Sequence, residues 1–153
     1  MEFMKLAIEE AKKGVASGDG GPFGAVIVKD GKIIGKGHNM VIGTNDPTAH
    51  AEVTAIRNTC KSLGNFDLSG CQLYTSCYPC PMCMGAALWS RVDAIYYGAT
   101  SQEAADIGFG DHEFHDFLKD PKTDKKRKLE QMKTENYLEP FQNWAAKKDK
   151  VEY

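Results

Sequence analysis

Two cysteines three residues apart, in Cys80-Pro81-Met82-Cys83, constrain this chain more than any other stretch. Pro81 suits the first position of a helix, where its missing N–H costs nothing. The apolar run Met84-Gly85-Ala86-Ala87-Leu88-Trp89 then reads as that helix continuing into a core. Thiols at i and i+3 near a helix N-terminus share one face, and the helix dipole favours their ionised form. Such a pair wants a metal, and a metal wants further ligands. About thirty residues upstream lies Asp46-Pro47-Thr48-Ala49-His50-Ala51-Glu52. Here Asp46 is expected to cap a helix, Pro47 to start it and His50 to lie in its first turn.

His-x-Glu followed by Pro-Cys-x-x-Cys is identified as the signature of zinc-dependent deaminases. The physics is consistent with that identification. Positions i and i+2 of a helix point about 200° apart, so His50 and Glu52 are not expected to hold one ion together. His50, Cys80 and Cys83 make three ligands and leave one tetrahedral position for water, as catalytic zinc requires. Glu52 is then free to move protons. One alternative stays open: Cys77 precedes Cys80 by the same spacing and could close a Cys3His site, which would be purely structural.

With 153 residues the chain is expected to be one domain with a real core, and 42% hydrophobic residues fit a soluble protein. No apolar run is long enough to span a membrane. The N-terminus lacks a signal peptide's basic and apolar regions, so a cytoplasmic home is expected. Five cysteines, an odd number with three of them clustered, fit metal binding better than a disulfide framework. The net charge of −2 hides an asymmetry, because residues 119–153 hold ten of the 19 basic groups and seven of the 21 acidic ones. Lys125-Lys126-Arg127-Lys128 could contact nucleic acid. Interspersed Asp120, Asp124, Glu130 and Glu135 favour instead a solvated helix face with i,i+4 pairs.

Phe3, Leu6, Ala7, Ala11 and Val15 recur on a helical period over residues 3–16. Ala25–Val28 and Lys32–Gly35 flank Asp30-Gly31, a strong hairpin signal. A loop over residues 39–46 leads to the His50 helix, which runs to about Leu63. Short strands follow at residues 71–75 and 94–98, with a helical turn at 102–106. Beyond Gly108, a loop with a short helix over 109–122 is expected, then helices over roughly 123–135 and 138–149. The order predicts an α/β fold in three layers, α/β/α, with a mixed sheet flanked by helices. About 1–108 would form the core and about 109–153 a helical C-terminal extension. His112-x-x-His115 offers too few ligands for a second metal site. By default Phe23, Trp89 and Phe109 are core residues.

The chain resembles the cytidine-deaminase-like superfamily and, within it, the small bacterial-type guanine deaminases. The most specific stretches are Gly20–Gly31, Asn45–Arg57 and Tyr74–Ala87; Phe109 to Asp111 and Tyr153 point toward the guanine deaminases. The resemblance implies zinc-dependent hydrolysis of guanine, a small purine base, to xanthine and ammonia. Asn39 would hydrogen-bond the purine, Phe23 and Trp89 would line and cover its pocket, and Ala51 would join them in binding substrate. Asp111 would contact the substrate and assist proton transfer, and Tyr153 would close the site. A homodimer with an exchanged C-terminal segment is implied, with no membrane or nucleic-acid partner. Tyr78 departs from the family, which usually has Glu before Pro-Cys. The alternatives are a tRNA adenosine deaminase, another base or nucleoside deaminase, or a zinc-stabilised interaction module.

Overall fold

The computed structural model describes residues 1–153, which separate into two compact units, Met1–His112 and Glu113–Tyr153. In the first unit, α1 (Glu2–Ser17) precedes the hairpin of β1 (Gly24–Lys29) and β2 (Lys32–His38). Its turn, Asp30-Gly31, has both residues at positive φ (49° and 71°), which matches the twist of paired strands. A four-residue helix, α2 (Val41–Thr44), interrupts the expected loop, and α3 (Ala51–Leu63) follows. Then come β3 (Cys71–Cys77), α4 (Pro81–Trp89), β4 (Ala94–Ala99) and α5 (Ser101–Ala105).

The sheet order is β2-β1-β3-β4; β1 is antiparallel to both neighbours, and β3 and β4 are parallel. This is the expected mixed sheet. Residues 25–28 of β1 are all buried because both faces of the sheet are covered. Val26 and Val28 pack with Ala7 of α1, while Phe3, Met4 and Tyr74 close that layer. The alternate residues Ala25 and Ile27, with Leu73 of β3, meet Ala51 and Ala55 of α3 and Ala87 of α4. Three layers follow from that alternation.

Glycines set the spacing between layers. A Cβ at Gly24 would lie 2.2 Å from the Ala7 carbonyl and 2.3 Å from the Ala11 nitrogen, so α1 rests directly on the start of β1. On the other face, a Cβ at Gly37 would lie 2.6 Å from the Ala55 nitrogen, which brings the first turns of α3 against β2. The start of α3, the C-terminal end of β3 and the start of α4 thereby meet at one end of the sheet. That is where open α/β sheets bind ligands.

Three expectations are corrected. His50 is the residue before α3, with extended backbone (φ −67°, ψ 160°), and does not lie in its first turn. Asp46 caps no helix: its carboxylate accepts from the Thr48 N–H and hydroxyl (2.8 and 2.7 Å), and this local turn holds residues 46–48 out of the helix. No helix forms over 123–135. That segment offers only Leu129 and Met132 as apolar anchors among like charges, too little apolar surface to stabilise a helix by packing. Its cations pair differently as well. Lys126 and Arg127 reach Glu113 (2.6 and 2.9 Å), and the Arg127 guanidinium lies over the Phe114 ring.

Glu113, Phe114 and most of α6 (His112–Lys119) belong to the second unit, with the 3₁₀ turn Pro121–Thr123 and α7 (Glu139–Ala146). The last helix is shorter than the 138–149 expected. No residue of α6 or α7 is buried.

Candidate metal centre and active site

Cys80 is the residue before α4, in extended backbone, and Pro81 takes the first helical position as its fixed φ favours. Cys83 follows within the first turn, fully buried. His50 holds the corresponding place before α3, so two helix N-termini converge on one point. The His50 Nδ1 lies 3.5 Å from the sulfurs of both Cys80 and Cys83, and all three ligand atoms fall within 4.8 Å of one another. Zinc lies about 2.0–2.1 Å from histidine nitrogen and about 2.3 Å from thiolate sulfur; across a tetrahedral angle, those lengths set nitrogen and sulfur about 3.5 Å apart. The donor set and its spacing therefore fit zinc.

The three donors are electrostatically coupled. Cys80 is lowered to about 4, chiefly by the hydrogen bond it accepts from Cys83, with His50 adding to the effect against burial. Donating that hydrogen bond to Cys80, burial and the nearby Glu52 carboxyl push Cys83 upward. His50 is raised, first by its hydrogen bond to Cys80. A bound dication would hold both sulfurs as thiolates and displace any proton they share.

Cys77 takes no part in this cluster. It ends β3 with its sulfur 3.7 Å from the Thr100 carbonyl, so the Cys3His arrangement is not the one the chain builds. Burial pushes its thiol up to about 11, with Glu52, Asp111 and Glu103 adding to the rise.

Glu52, in the first turn of α3, is only 5% exposed. Its Oε1 accepts from the Thr75 hydroxyl at 3.0 Å. Burial pushes its carboxyl pKa up against the hydrogen bonding that favours the ionised form. Thr75 escaped notice in the sequence because a threonine in a strand is ordinary; only the pairing of β3 against β1 aims it at Glu52.

The flanking residues are placed by a web of backbone bonds. The Asn39 N–H donates to the Phe23 carbonyl (3.0 Å), and the Met40 N–H donates to the Ala49 carbonyl (2.9 Å) beside His50. Asn39 is buried, and its Oδ1 accepts from the Val41 N–H at 3.2 Å. Phe23 packs edge-on against Phe109, their centroids 5.0 Å apart. Ala51 is fully buried at the first position of α3, where a backbone N–H has no partner within the helix. Trp89 is 70% exposed at the far end of α4, about 12–14 Å of helix rise from Cys80. Asp111 lies near enough to Cys77 to raise its thiol. Tyr153 is exposed in the second unit.

Comparison with known proteins matches this constellation. Residues 1–99 match the family of the cytidine and deoxycytidylate deaminase zinc-binding region, a span that ends with β4 and contains His50, Glu52, Cys80 and Cys83. The guanine deaminase of Bacillus subtilis is 50% identical over 151 residues, covering 99% of this chain and 97% of the relative. Its X-ray structure superposes with a TM-score of 0.95 at 49% identity, over 99% of this chain and 97% of that one. A tRNA-specific adenosine deaminase of Aquifex aeolicus is 44% identical, but over 101 residues, 66% of either protein. No helix is long and apolar enough to cross a membrane. With its zinc-type donor set, its matched core and a likeness that continues through the last third, the chain belongs to the cytidine and deoxycytidylate deaminase zinc-binding family, within the guanine deaminase group.

Proposed function

We propose that this protein hydrolyses guanine to xanthine and ammonia at the centre formed by His50, Cys80 and Cys83, with Glu52 as proton carrier. One observation carries the reading: a buried carboxyl, fixed by Thr75, beside three ligand atoms spaced for zinc. Zinc held there supplies a Lewis acid that makes water acidic enough to attack near neutral pH. Glu52 takes the proton of the attacking water. It returns that proton to a ring nitrogen as the C2–O bond forms. It then takes the remaining hydroxyl proton as the C2=O bond forms and passes it to the amine as the C2–N bond breaks, and ammonia departs. One positioned carboxyl contributes about 10²–10⁴-fold in such a role.

Asn39 spends its Oδ1 on the Val41 N–H, so its NH2 group is the part left to donate to an acceptor on the purine edge. Phe23, held edge-on by Phe109, supplies an apolar ring for the base, a contact of about 1 kcal/mol. Ala51 contributes its backbone N–H, and Asp111 assists proton transfer. Tyr153 and Trp89 are assigned by resemblance to closing and covering the site.

We infer further that the protein is a homodimer. Met82, Leu88 and Trp89 are exposed along α4, an apolar helix, and Phe141 and Trp144 along α7. Exposed apolar stripes of this kind call for a covering surface. The C-terminal unit would exchange between copies and bring Tyr153 to the partner's site. Five free thiols suit a reducing, cytoplasmic compartment. A second reading, deamination of adenosine in tRNA, rests on the Aquifex likeness over two thirds of the chain.

Zinc-replete Glu52→Gln tests the proposal. It is expected to keep its metal and fold while losing at least about 10²-fold in guanine turnover. Near-normal turnover with full zinc would remove Glu52 from the chemistry.

A further inference from the structure

The loop that presents Asn39 is gripped from both sides by one residue outside the active site. The Asp19 carboxylate Oδ2 lies 2.9 Å from the His38 Nε2, immediately before Asn39. The Asp19 backbone carbonyl accepts the N–H groups of both Ile42 and Gly43, at 2.9 Å each, just after Asn39. The next residue, Gly20, packs against the amide itself: a Cβ there would lie 2.0 Å from the Asn39 Oδ1. Nothing larger fits.

The far side of the clamp is equally held. The Asp19 N–H donates to the Gly14 carbonyl at the end of α1 (3.0 Å). The His38 ring lies on Gly14, where a Cβ would meet its Cδ2 at 2.8 Å. His38 Nδ1 faces the Glu10 carboxylate at 3.8 Å, and Glu10 is itself paired with Lys13 and Lys36 (2.7 and 3.1 Å). Because a carboxylate only accepts, the short contact to Asp19 requires a proton on Nε2. The His38 ring is thus fixed in orientation by α1 beneath it and by Asp19 at its edge.

We propose that Asp19 and His38 are positioning residues that lock the Asn39 amide in its substrate-binding orientation, and that they set affinity for the purine base, not the rate of the chemical step. The inference rests on the reading of Asn39 as a base-binding residue. The pair touches neither the ligand atoms nor Glu52, so its loss should loosen Asn39 and leave zinc and proton transfer alone. A binding amide that is free to turn loses affinity in proportion to the time it spends misaligned.

The test uses zinc-replete full-length protein. Asp19→Ala and His38→Phe are expected to raise KM for guanine about tenfold, the order of one lost hydrogen bond, with kcat within about twofold and zinc content unchanged. Asp19→Asn keeps an acceptor for Nε2–H and is expected to restore KM. In an Asn39→Ala background, Asp19→Ala should add nothing further, because both act through one amide. A readout independent of activity is the side-chain NH2 resonance of Asn39, assigned by its loss in Asn39→Ala. It should shift or broaden in Asp19→Ala and stay in place in Asp19→Asn. An unmoved resonance overturns the proposal, as does an Asp19→Ala effect that falls on kcat and zinc content or persists without Asn39. If the wild type fails to turn over guanine, the functional reading fails, while the resonance still decides whether Asp19 holds the amide.

Discussion

Removing Cys80 should empty the metal centre, and removing Cys77 should not. Cys80→Ala takes one of three donors from a site whose ligand atoms are already spaced for zinc. Cys77→Ala loses only a thiol directed at the Thr100 carbonyl. Metal analysis of the purified variants should give about one zinc per chain for Cys77→Ala and a large loss for Cys80→Ala. Zinc lost from Cys77→Ala would reinstate the closed site. At this scale the metal chemistry was legible, because few residue types bind zinc and their spacing on helix ends is restrictive. Thr75 and Asp19 were not. Each acts through contacts between segments far apart in the chain, and neither residue type is unusual where it stands.

The elements were legible where local chemistry and packing agree. The Asp30-Gly31 turn, the alternating pattern of β1 and the proline opening α4 each name their own structure. The start of α3 and the helix expected over 123–135 both failed where local side-chain bonds compete with helix, the second also for want of apolar surface to bury. Asp46 ties Thr48 into a turn, so α3 begins at Ala51. Asp124 accepts from the N–H groups of Lys126 and Arg127 (2.6 and 2.9 Å), where a helix had been expected. The closeness of the layers was invisible beforehand, since a glycine in a strand does not announce what lies over it. Gly24→Ala measures that closeness. Its methyl would meet the α1 backbone, so a loss of about 1–3 kcal/mol or more is expected in denaturant unfolding. A change under about 0.5 kcal/mol would mean that α1 shifts freely on the sheet.

Across the whole molecule, the match over residues 1–99 identifies the deaminase family, whereas the likeness to the guanine deaminase of Bacillus subtilis covers 99% of the chain and that to the tRNA-specific adenosine deaminase of Aquifex aeolicus 66%. The resemblance made that last third readable as an extension; a short helix within 109–122 and one near 138–149 are present, though no residue of either is buried, and the one expected over 123–135 is not. If the extension exchanges between copies, an inactive Glu52→Gln chain mixed with an inactive chain lacking residues from about 149 onward should regain some guanine turnover. One site in the mixed dimer would then hold an intact Glu52 and the other chain's intact tail. A mixed dimer that forms and stays inactive, or a monomer in solution, would return the tail to its own chain. The substrate itself is decided most directly by ammonia release from the zinc-replete wild-type protein, offered guanine, guanosine, adenine, cytosine, cytidine and tRNA in parallel. Guanine should yield xanthine and ammonia far faster than any other, and ammonia from tRNA adenosine with none from guanine would contradict the account.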